Sequence, residues 1–158
     1  MRNSIMSLYG NRLRTRACGI CVEDGKTLLV NHRSLSESDF WAPPGGGISF
    51  GEKAEDCLVR EFNEETGLSV SVGQFLFACE FIRSPLHSIE LFFEVSILGG
   101  SLKTGLDPEM SENDQIIKDV KFVSLAEIKT MKVNSLHGLF QIASSPDEIL
   151  GLRGYFKL

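Results

Sequence analysis

The chain has 158 residues, the length of one domain with a core of its own, so we expect a single domain over residues 1–158. Its composition, 42% hydrophobic and 23% charged, is that of a globular protein and excludes disordered and fibrous classes. Lys and Arg number 16 against 21 Asp and Glu, and the formal charge of −5 argues against a general binder of nucleic acid or anionic membranes.

The start of the chain and its four cysteines indicate a cytoplasmic protein. Residues 1–16 lack the apolar run of a signal peptide, and no apolar stretch approaches the ~18 residues that span a membrane. Cys18 and Cys21 have the CxxC spacing of zinc and redox sites, but they lie in a strand-like run, where residues three apart face opposite sides. Because no second pair completes a tetrahedral site, we interpret the cysteines as reduced thiols.

The first half of the chain predicts two strands, a long loop and a helix. Apolar residues and arginines alternate over 12–17, which is typical of a half-exposed strand, and an apolar strand at 28–30 follows a turn signal. A loop over 34–51 contains three consecutive glycines and Trp41, which we expect to pack against the protein rather than bind a ligand. The helix is predicted over 53–66, with Gly67 in the position of a left-handed cap.

The second half is mostly strands. Residues 69–81 favour a strand with a bulge at Gly73, and residues 88–97 alternate as another strand. A polar loop over 99–119 precedes a short strand at 120–123. Ser124 and Ser145 each begin a capping box, which predicts short helices at the end of the chain. Because strands and helices are interleaved, we expect a mixed sheet with helices on its faces.

One face of the predicted helix is acidic. Glu61 lies three residues before Glu64 and four before Glu65, so the three carboxylates share a face. Like charges at these spacings each destabilise a helix by about 0.2–0.5 kcal/mol. The face is either a solvated surface, on which Arg60 pairs with Glu64, or a set of hard oxygen ligands for Mg²⁺ or Mn²⁺. A metal site would let an acidic protein hold a phosphate polyanion.

The residues that precede the helix decide between these interpretations. Gly46 is followed after five residues by Glu52, and after seven more by the segment 60–68, Arg-Glu-Phe-Asn-Glu-Glu-Thr-Gly-Leu. This spacing resembles the signature of the Nudix hydrolase family, G-x5-E-x7-R-E-U-x-E-E-x-G-U, in which U is a bulky apolar residue. All seven fixed residues match, an agreement expected by chance about once in 10⁸ start positions.

The resemblance implies an α/β fold, an α/β/α sandwich with a mixed sheet and helices on both faces. It implies hydrolysis of a pyrophosphate bond in a nucleoside diphosphate derivative, with two or three Mg²⁺ or Mn²⁺ ions. By position, Glu61, Glu65 and the backbone carbonyl of Gly45 would be metal ligands, and Glu64 would be a further ligand or would orient the attacking water. The three glutamates would also be catalytic. Glu52 and Arg60 would orient the loop and the ligand carboxylates.

Other residues complete the predicted site. Gly46 and Gly47 would allow close backbone approach to metal and phosphate. Arg33, at the end of the second strand, is either a contact for a substrate phosphate or a surface arginine. The general base is left open between a glutamate of the helix and an acid of the downstream loop, where Glu112 and Asp114 rank first. The three histidines show no metal spacing and receive no role.

The substrate is less well specified than the reaction. Family members that cut ADP-ribose often carry a proline beyond the signature, and Pro85 lies near that place, so we favour ADP-ribose or a nucleotide sugar. The alternatives are a nucleoside triphosphate pyrophosphatase and a non-catalytic domain that senses a nucleotide. We expect a small-molecule nucleotide as partner, and neither a nucleic acid nor a membrane. Whether the chain forms a homodimer stays open.

Overall fold

A computed structural model describes residues 9–33, 38–106, 108 and 115–158. The strands in these ranges are β1 (Arg12–Glu23), β2 (Lys26–Arg33), β3 (Asp39–Ala42), β4 (Gly45–Gly47), β5 (Leu68–Arg83), β6 (Leu86–Gly100), β7 (Ile117–Ser124) and β8 (Gly154–Lys157). The helices are α1 (Ala54–Thr66), α2 (Leu125–Thr130) and α3 (Pro146–Gly151), with short 3₁₀ turns at Val133–Ser135 and Gly138–Gln141. Within the same ranges, no helix is long and apolar enough to cross a membrane.

The strands form a mixed, hydrogen-bonded system. Their order is β3-β2-β1-β6-β5-β8, with β4 added to β1 and β7 added to β2. β1 runs parallel to β6 and β5 parallel to β8, whereas the other pairs are antiparallel. The parallel pairing places Arg16 opposite Glu90. The mixed sheet predicted from the interleaved pattern is confirmed.

Helices cover both faces of this sheet. On one face, α1 buries Leu58 and Phe62 in a cluster with apolar residues of β1, β2, β5 and β6. On the other face, Ile128 of α2 and Ile149 of α3 lie in a second cluster with Phe92. The predicted α/β/α sandwich is therefore confirmed, and α1 is the layer that carries the acidic residues.

Several local predictions are confirmed. Helix α1 begins one residue later than predicted, and Gly67 caps it in the left-handed conformation with a φ of 73°. The register between β5 and β6 shifts around Gly73, where the bulge was expected. Ser124 and Ser145 both form complete capping boxes. Trp41 is buried in the core, as expected of a packing residue.

Other local predictions are wrong. The described part of the predicted loop 34–51 contains β3 and β4, and β4 forms because its glycine backbone pairs with β1. The chain continues after its last helix into β8, which pairs with β5. In β1, by contrast, the half-exposed strand expected over residues 12–17 is confirmed, although Leu13 is 58% exposed whereas the Arg16 side chain is 23% exposed.

Candidate active site

Helix α1 presents its acidic face to strand β4. Its apolar side, with Phe62 fully buried, fixes the rotation of the helix against the sheet. Glu61 then lies against the glycine strand, where a Cβ added to Gly46 would stand 2.2 Å from Glu61 Oε1. The absence of a side chain at Gly46 is thus what lets the carboxylate reach the backbone of β4.

Arg60 ties the loop before the helix to the acidic face. Its Nε and Nη2 donate to the two oxygens of Glu52, at 2.8 and 3.1 Å. Its Nη1 donates to Glu61 Oε1 at 2.7 Å and to Glu64 Oε2 at 3.1 Å. The hydrogen bonds from Arg60 and from the Ser49 N–H lower the pKa of Glu52 to about 2. These are contacts that orient carboxylates, as the resemblance implies for Glu52 and Arg60.

Glu61 is a carboxylate with a raised pKa. Its side chain is 14% exposed. Burial, and then the charge of Glu65, raise the pKa of Glu61 to about 7 even though Arg60 donates to it. A further positive charge beside Glu61, in addition to Arg60, would favour its ionised form.

Glu65 holds the glycine strand in place. Its Oε2 accepts a hydrogen bond from the Gly45 N–H at 2.9 Å, and its Oε1 lies 3.2 Å from Nε2 of His32. Gly45 has a φ of 152°, and a Cβ there would lie 2.2 Å from the carbonyl oxygen of Ala17. Because a side chain does not fit, the peptide of Gly45 reaches the carboxylates as bare backbone.

The chemistry of these donors fits Mg²⁺ or Mn²⁺. Three carboxylates and the Gly45 carbonyl bring hard oxygen atoms together, the ligands that these ions prefer. As the side chains stand, no three acidic, histidine or cysteine residues of the described ranges are arranged to hold an ion. In this arrangement Arg60 engages Glu61 and Glu64, while Gly45 and His32 engage Glu65. An ion bound at Glu61 or Glu64 would compete with Arg60 for the carboxylate oxygens that it contacts.

A buried charge pair lies behind Gly45. Arg16 donates from Nη1 to Glu90 Oε1 at 2.7 Å and from Nη2 to the Gly45 carbonyl at 3.0 Å. The other oxygen of Glu90 lies 2.6 Å from Nε2 of His137. Burial would raise the pKa of Glu90, but His137 and Arg16 outweigh burial and hold that pKa well below its ordinary value. Glu90 is therefore ionised although its side chain is only 3% exposed.

A cleft of about 870 Å³ lies between the carboxylates of α1 and residues of strands β1, β2, β5 and β6. This volume is in the range of small-molecule sites. Its cationic lining residues are Arg14, Arg16, Arg33 and Arg83, and its aromatic ones are Tyr9, Phe40 and Phe81. The cleft thus combines three kinds of residue: carboxylates that can bind metal cations, arginines that can bind phosphates, and aromatic rings that can stack on a nucleobase.

The segment after β6 is attached to the C-terminal end of α1. The N–H groups of Lys103 and Gly105 donate to the carbonyls of Thr66 and Glu65, each at 2.9 Å. These bonds satisfy carbonyls that a helix leaves without partners at its end. Leu106, the next residue, lines the cleft. The attachment therefore sets the position at which this segment joins the cleft wall.

We expect Gly105→Ala to detach this segment from α1. A Cβ at Gly105 would lie 1.7 Å from the carbonyl oxygen of Glu64, a backbone atom fixed by the helix. The clash should lower the free energy of unfolding by about 1–3 kcal/mol and speed amide hydrogen exchange over residues 101–106, followed by mass spectrometry. Gly99→Ala is the matched control, since a Cβ there meets no atom within 4 Å. Exchange in Gly105→Ala as slow as in the wild type would contradict the expectation.

The structure brings most of the predicted site residues to one place. The cleft lining includes Arg33, Gly45, Gly46, Gly47, Glu61, Glu64 and Glu65. Glu52 and Arg60 are hydrogen-bonded to this group. Glu112 and Asp114 lie outside the described residues, so the general base stays a prediction.

Sequence reasoning missed three residues that contact the site. His32 lies against Glu65, and strand alternation is the signal that finds it: Val30 packs beneath α1, and His32 is the next residue on that face of β2. Glu90 and His137 are 47 residues apart, and only the folded sheet brings them together. No local pattern in the sequence indicates that pair.

The fold and site define an α/β/α sandwich in which a carboxylate-bearing helix meets a glycine strand at a cleft. A family profile described as the NUDIX domain matches residues 12–141, well over half of the chain. The chain therefore belongs to the NUDIX family, as its signature at residues 46–68 predicted.

Relatives in this family differ in their substrates. An ADP-ribose pyrophosphatase from Methanocaldococcus jannaschii is 36% identical over 96 residues, which are 60% of this chain and 57% of that protein. An RNA pyrophosphohydrolase from Bartonella clarridgeiae is 25% identical over 122 residues, 69% of this chain and 70% of that protein. The crystal structure of a UDP-X diphosphatase shares the fold with a TM-score of 0.67 at 22% identity, covering 93% of this chain and 68% of its own. The chain thus spans little more than half the length of the first of these relatives.

Proposed function

We propose that this chain is a divalent-metal-dependent pyrophosphohydrolase of nucleoside diphosphate derivatives, with ADP-ribose or a nucleotide sugar as the favoured substrate. One observation carries the proposal: a single cleft is lined by Glu61, Glu64 and Glu65 and by Arg14, Arg33 and Arg83. A diphosphate substrate needs both groups, because metal ions held by carboxylates activate the bond that breaks and arginines neutralise the remaining charge. The ADP-ribose pyrophosphatase relative supports this substrate class.

Different residues of the chain would bind the metal ions, bind the phosphate and accept the proton. Bound Mg²⁺ or Mn²⁺ would screen the phosphate oxygens, acidify the attacking water and stabilise the leaving phosphate. The three glutamates of α1 and the Gly45 carbonyl would hold the ions, and Arg33 would hold a phosphate oxygen at the β2 side of the cleft. The proton of the attacking water would pass to a carboxylate, either Glu64 or one of the loop acids Glu112 and Asp114.

A second candidate substrate is the 5′-triphosphate end of an RNA. The Bartonella RNA pyrophosphohydrolase aligns with 69% of this chain and with 70% of its own length, which favours this candidate. The formal charge of −5 disfavours a long polyanion, because neutralising phosphates along a strand needs an excess of basic residues. A small nucleotide is therefore favoured over an RNA as the substrate.

A substrate panel tests the proposal. ADP-ribose, UDP-glucose, ATP and a short 5′-triphosphorylated RNA are incubated with Mg²⁺ or Mn²⁺, and the products are separated by chromatography. We expect AMP with ribose 5-phosphate, or UMP with glucose 1-phosphate, and no products in EDTA. Turnover confined to ATP or to the RNA would replace the proposed substrate class. A folded protein that turns over none of them would favour a nucleotide-sensing domain.

A further inference from the structure

The peptide of Gly45 is held from both sides. Strand β4 consists of glycines, so it has no side chains with which to fix its own peptide planes. Glu65 accepts the N–H of Gly45 at 2.9 Å, and Arg16 donates to the carbonyl of Gly45 at 3.0 Å. Glu65 belongs to the family signature, whereas Arg16 lies on β1, outside it. The carbonyl that Arg16 contacts is the one predicted to bind a metal ion.

Arg16 is itself held by buried groups. Its Nη1 donates to Glu90 at 2.7 Å, and the second oxygen of Glu90 lies 2.6 Å from Nε2 of His137. His137 Nδ1 accepts the N–H of Leu139 at 3.2 Å, so the ring proton sits on Nε2 and is donated to Glu90. Glu90 and His137 are both almost fully buried. The guanidinium is therefore fixed in the direction of Gly45.

This arrangement is not explained by packing alone. A buried ion pair carries a desolvation cost that apolar side chains of similar size avoid. Arg16 Nε is also buried without a hydrogen-bond partner among the described residues, because the two Nη atoms are directed at Glu90 and Gly45. Arg16 thus leaves its Nε without a partner while its Nη1 and Nη2 donate to Glu90 and to the Gly45 carbonyl. This arrangement favours a positioning role for Arg16.

We propose that Arg16 is a positioning residue: clamped by Glu90 and His137, it sets the orientation of the Gly45 carbonyl toward the metal ion. The inference rests on the proposed function, because it takes Gly45 as a metal ligand. Glu90 contributes charge as well as geometry, since an uncompensated guanidinium beside the carbonyl would repel the cation. Replacing Arg16 should therefore weaken metal binding and turnover and leave substrate affinity unchanged.

Arg16→Lys is the first test. Lysine keeps the charge, but its single ammonium lacks the fork that reaches Glu90 and the Gly45 carbonyl together. We expect the Mn²⁺ affinity, titrated by electron paramagnetic resonance without substrate, to fall about 10- to 100-fold, with kcat reduced and KM unchanged. Arg12→Lys is the matched control, because Arg12 lies on the same strand but is exposed and outside the cleft lining. It should bind Mn²⁺ like the wild type.

Glu90→Gln is the second test of the role of Arg16. It is the deciding test if thermal unfolding shows that Arg16→Lys does not fold. Glutamine keeps the shape and an acceptor but removes the compensating charge, so Mn²⁺ affinity should again fall. Wild-type Mn²⁺ affinity in both folded variants would overturn the inference. An increased KM with unchanged Mn²⁺ affinity would also overturn it, because Arg16 would then act on the substrate. A wild-type protein that hydrolyses no panel substrate would instead refute the proposed function, while the Mn²⁺ titrations still decide the role of Arg16.

Discussion

Glu65→Gln should reduce Mg²⁺-dependent hydrolysis by more than about a hundredfold, because replacing residues that merely orient metal ligands already costs about 10- to 100-fold. Glu65 is 6% exposed, accepts the Gly45 N–H and lies against His32. A glutamine fits the same space and its amide oxygen still accepts from Gly45, so the variant should fold. What is lost is the charge that a cation requires. Product release is measured by chromatography, and folding by circular dichroism and thermal unfolding.

The matched control for this change is Glu55→Gln. Glu55 lies in the exposed first turn of α1, away from the cleft lining, and undergoes the same chemical substitution. It should keep wild-type turnover. Glu64→Gln should behave like Glu65→Gln, since both carboxylates are predicted ligands. Undiminished activity in both variants would refute the roles given to this helix face.

Helix α1 and its acidic face could be predicted from the sequence because their signals are local. The spacing of the apolar residues predicted the helix, and Gly67 predicted where it ends. Glu52 and Arg60, which are hydrogen-bonded, are also close in sequence, and both are fixed positions of the signature. A pattern of residues within one short segment was thus enough to place three carboxylates on one face of α1.

The support behind this site could not be predicted, because its contacts join distant segments. Strand β4 is formed of glycines, which carry no strand preference of their own, and it exists through pairing with β1. Arg16 meets Glu90 across 74 residues of sequence, and Glu90 meets His137 across 47. The alternation in β1 indicated a half-exposed strand, and only the folded sheet shows that the Arg16 side chain is 23% exposed and paired with Glu90.

The hydrogen bonds of Arg60 and those of Arg16 differ in what a bound metal ion would change. Arg60 engages Glu61 and Glu64, which a cation would need, so these contacts compete with metal binding. Arg16 engages a carbonyl and is compensated by Glu90, so its contact is compatible with a second bond from the same oxygen.

The metal-free protein should lose stability as the pH rises from about 5 to 8. Burial and Glu65 raise the pKa of Glu61 to about 7 in the folded chain, above its ordinary value of about 4.3 in the unfolded chain. The folded state then binds the additional proton between these values, so raising the pH removes about 2–3 kcal/mol from the free energy of unfolding. For a chain of this size, the midpoint of thermal unfolding in EDTA should fall by roughly 5–10 °C.

Glu61→Gln should abolish this pH dependence, because glutamine stays neutral across the range. Glu52 does not interfere, since its pKa of about 2 keeps it ionised in both states above pH 5. Adding Mg²⁺ or Mn²⁺ should stabilise the wild type more at pH 8 than at pH 5.5, because the bound cation needs the ionised carboxylate. Glu61→Gln should show little of this gain at either pH. An unfolding midpoint that is flat or rises with pH in EDTA would show that Glu61 is already ionised without a metal.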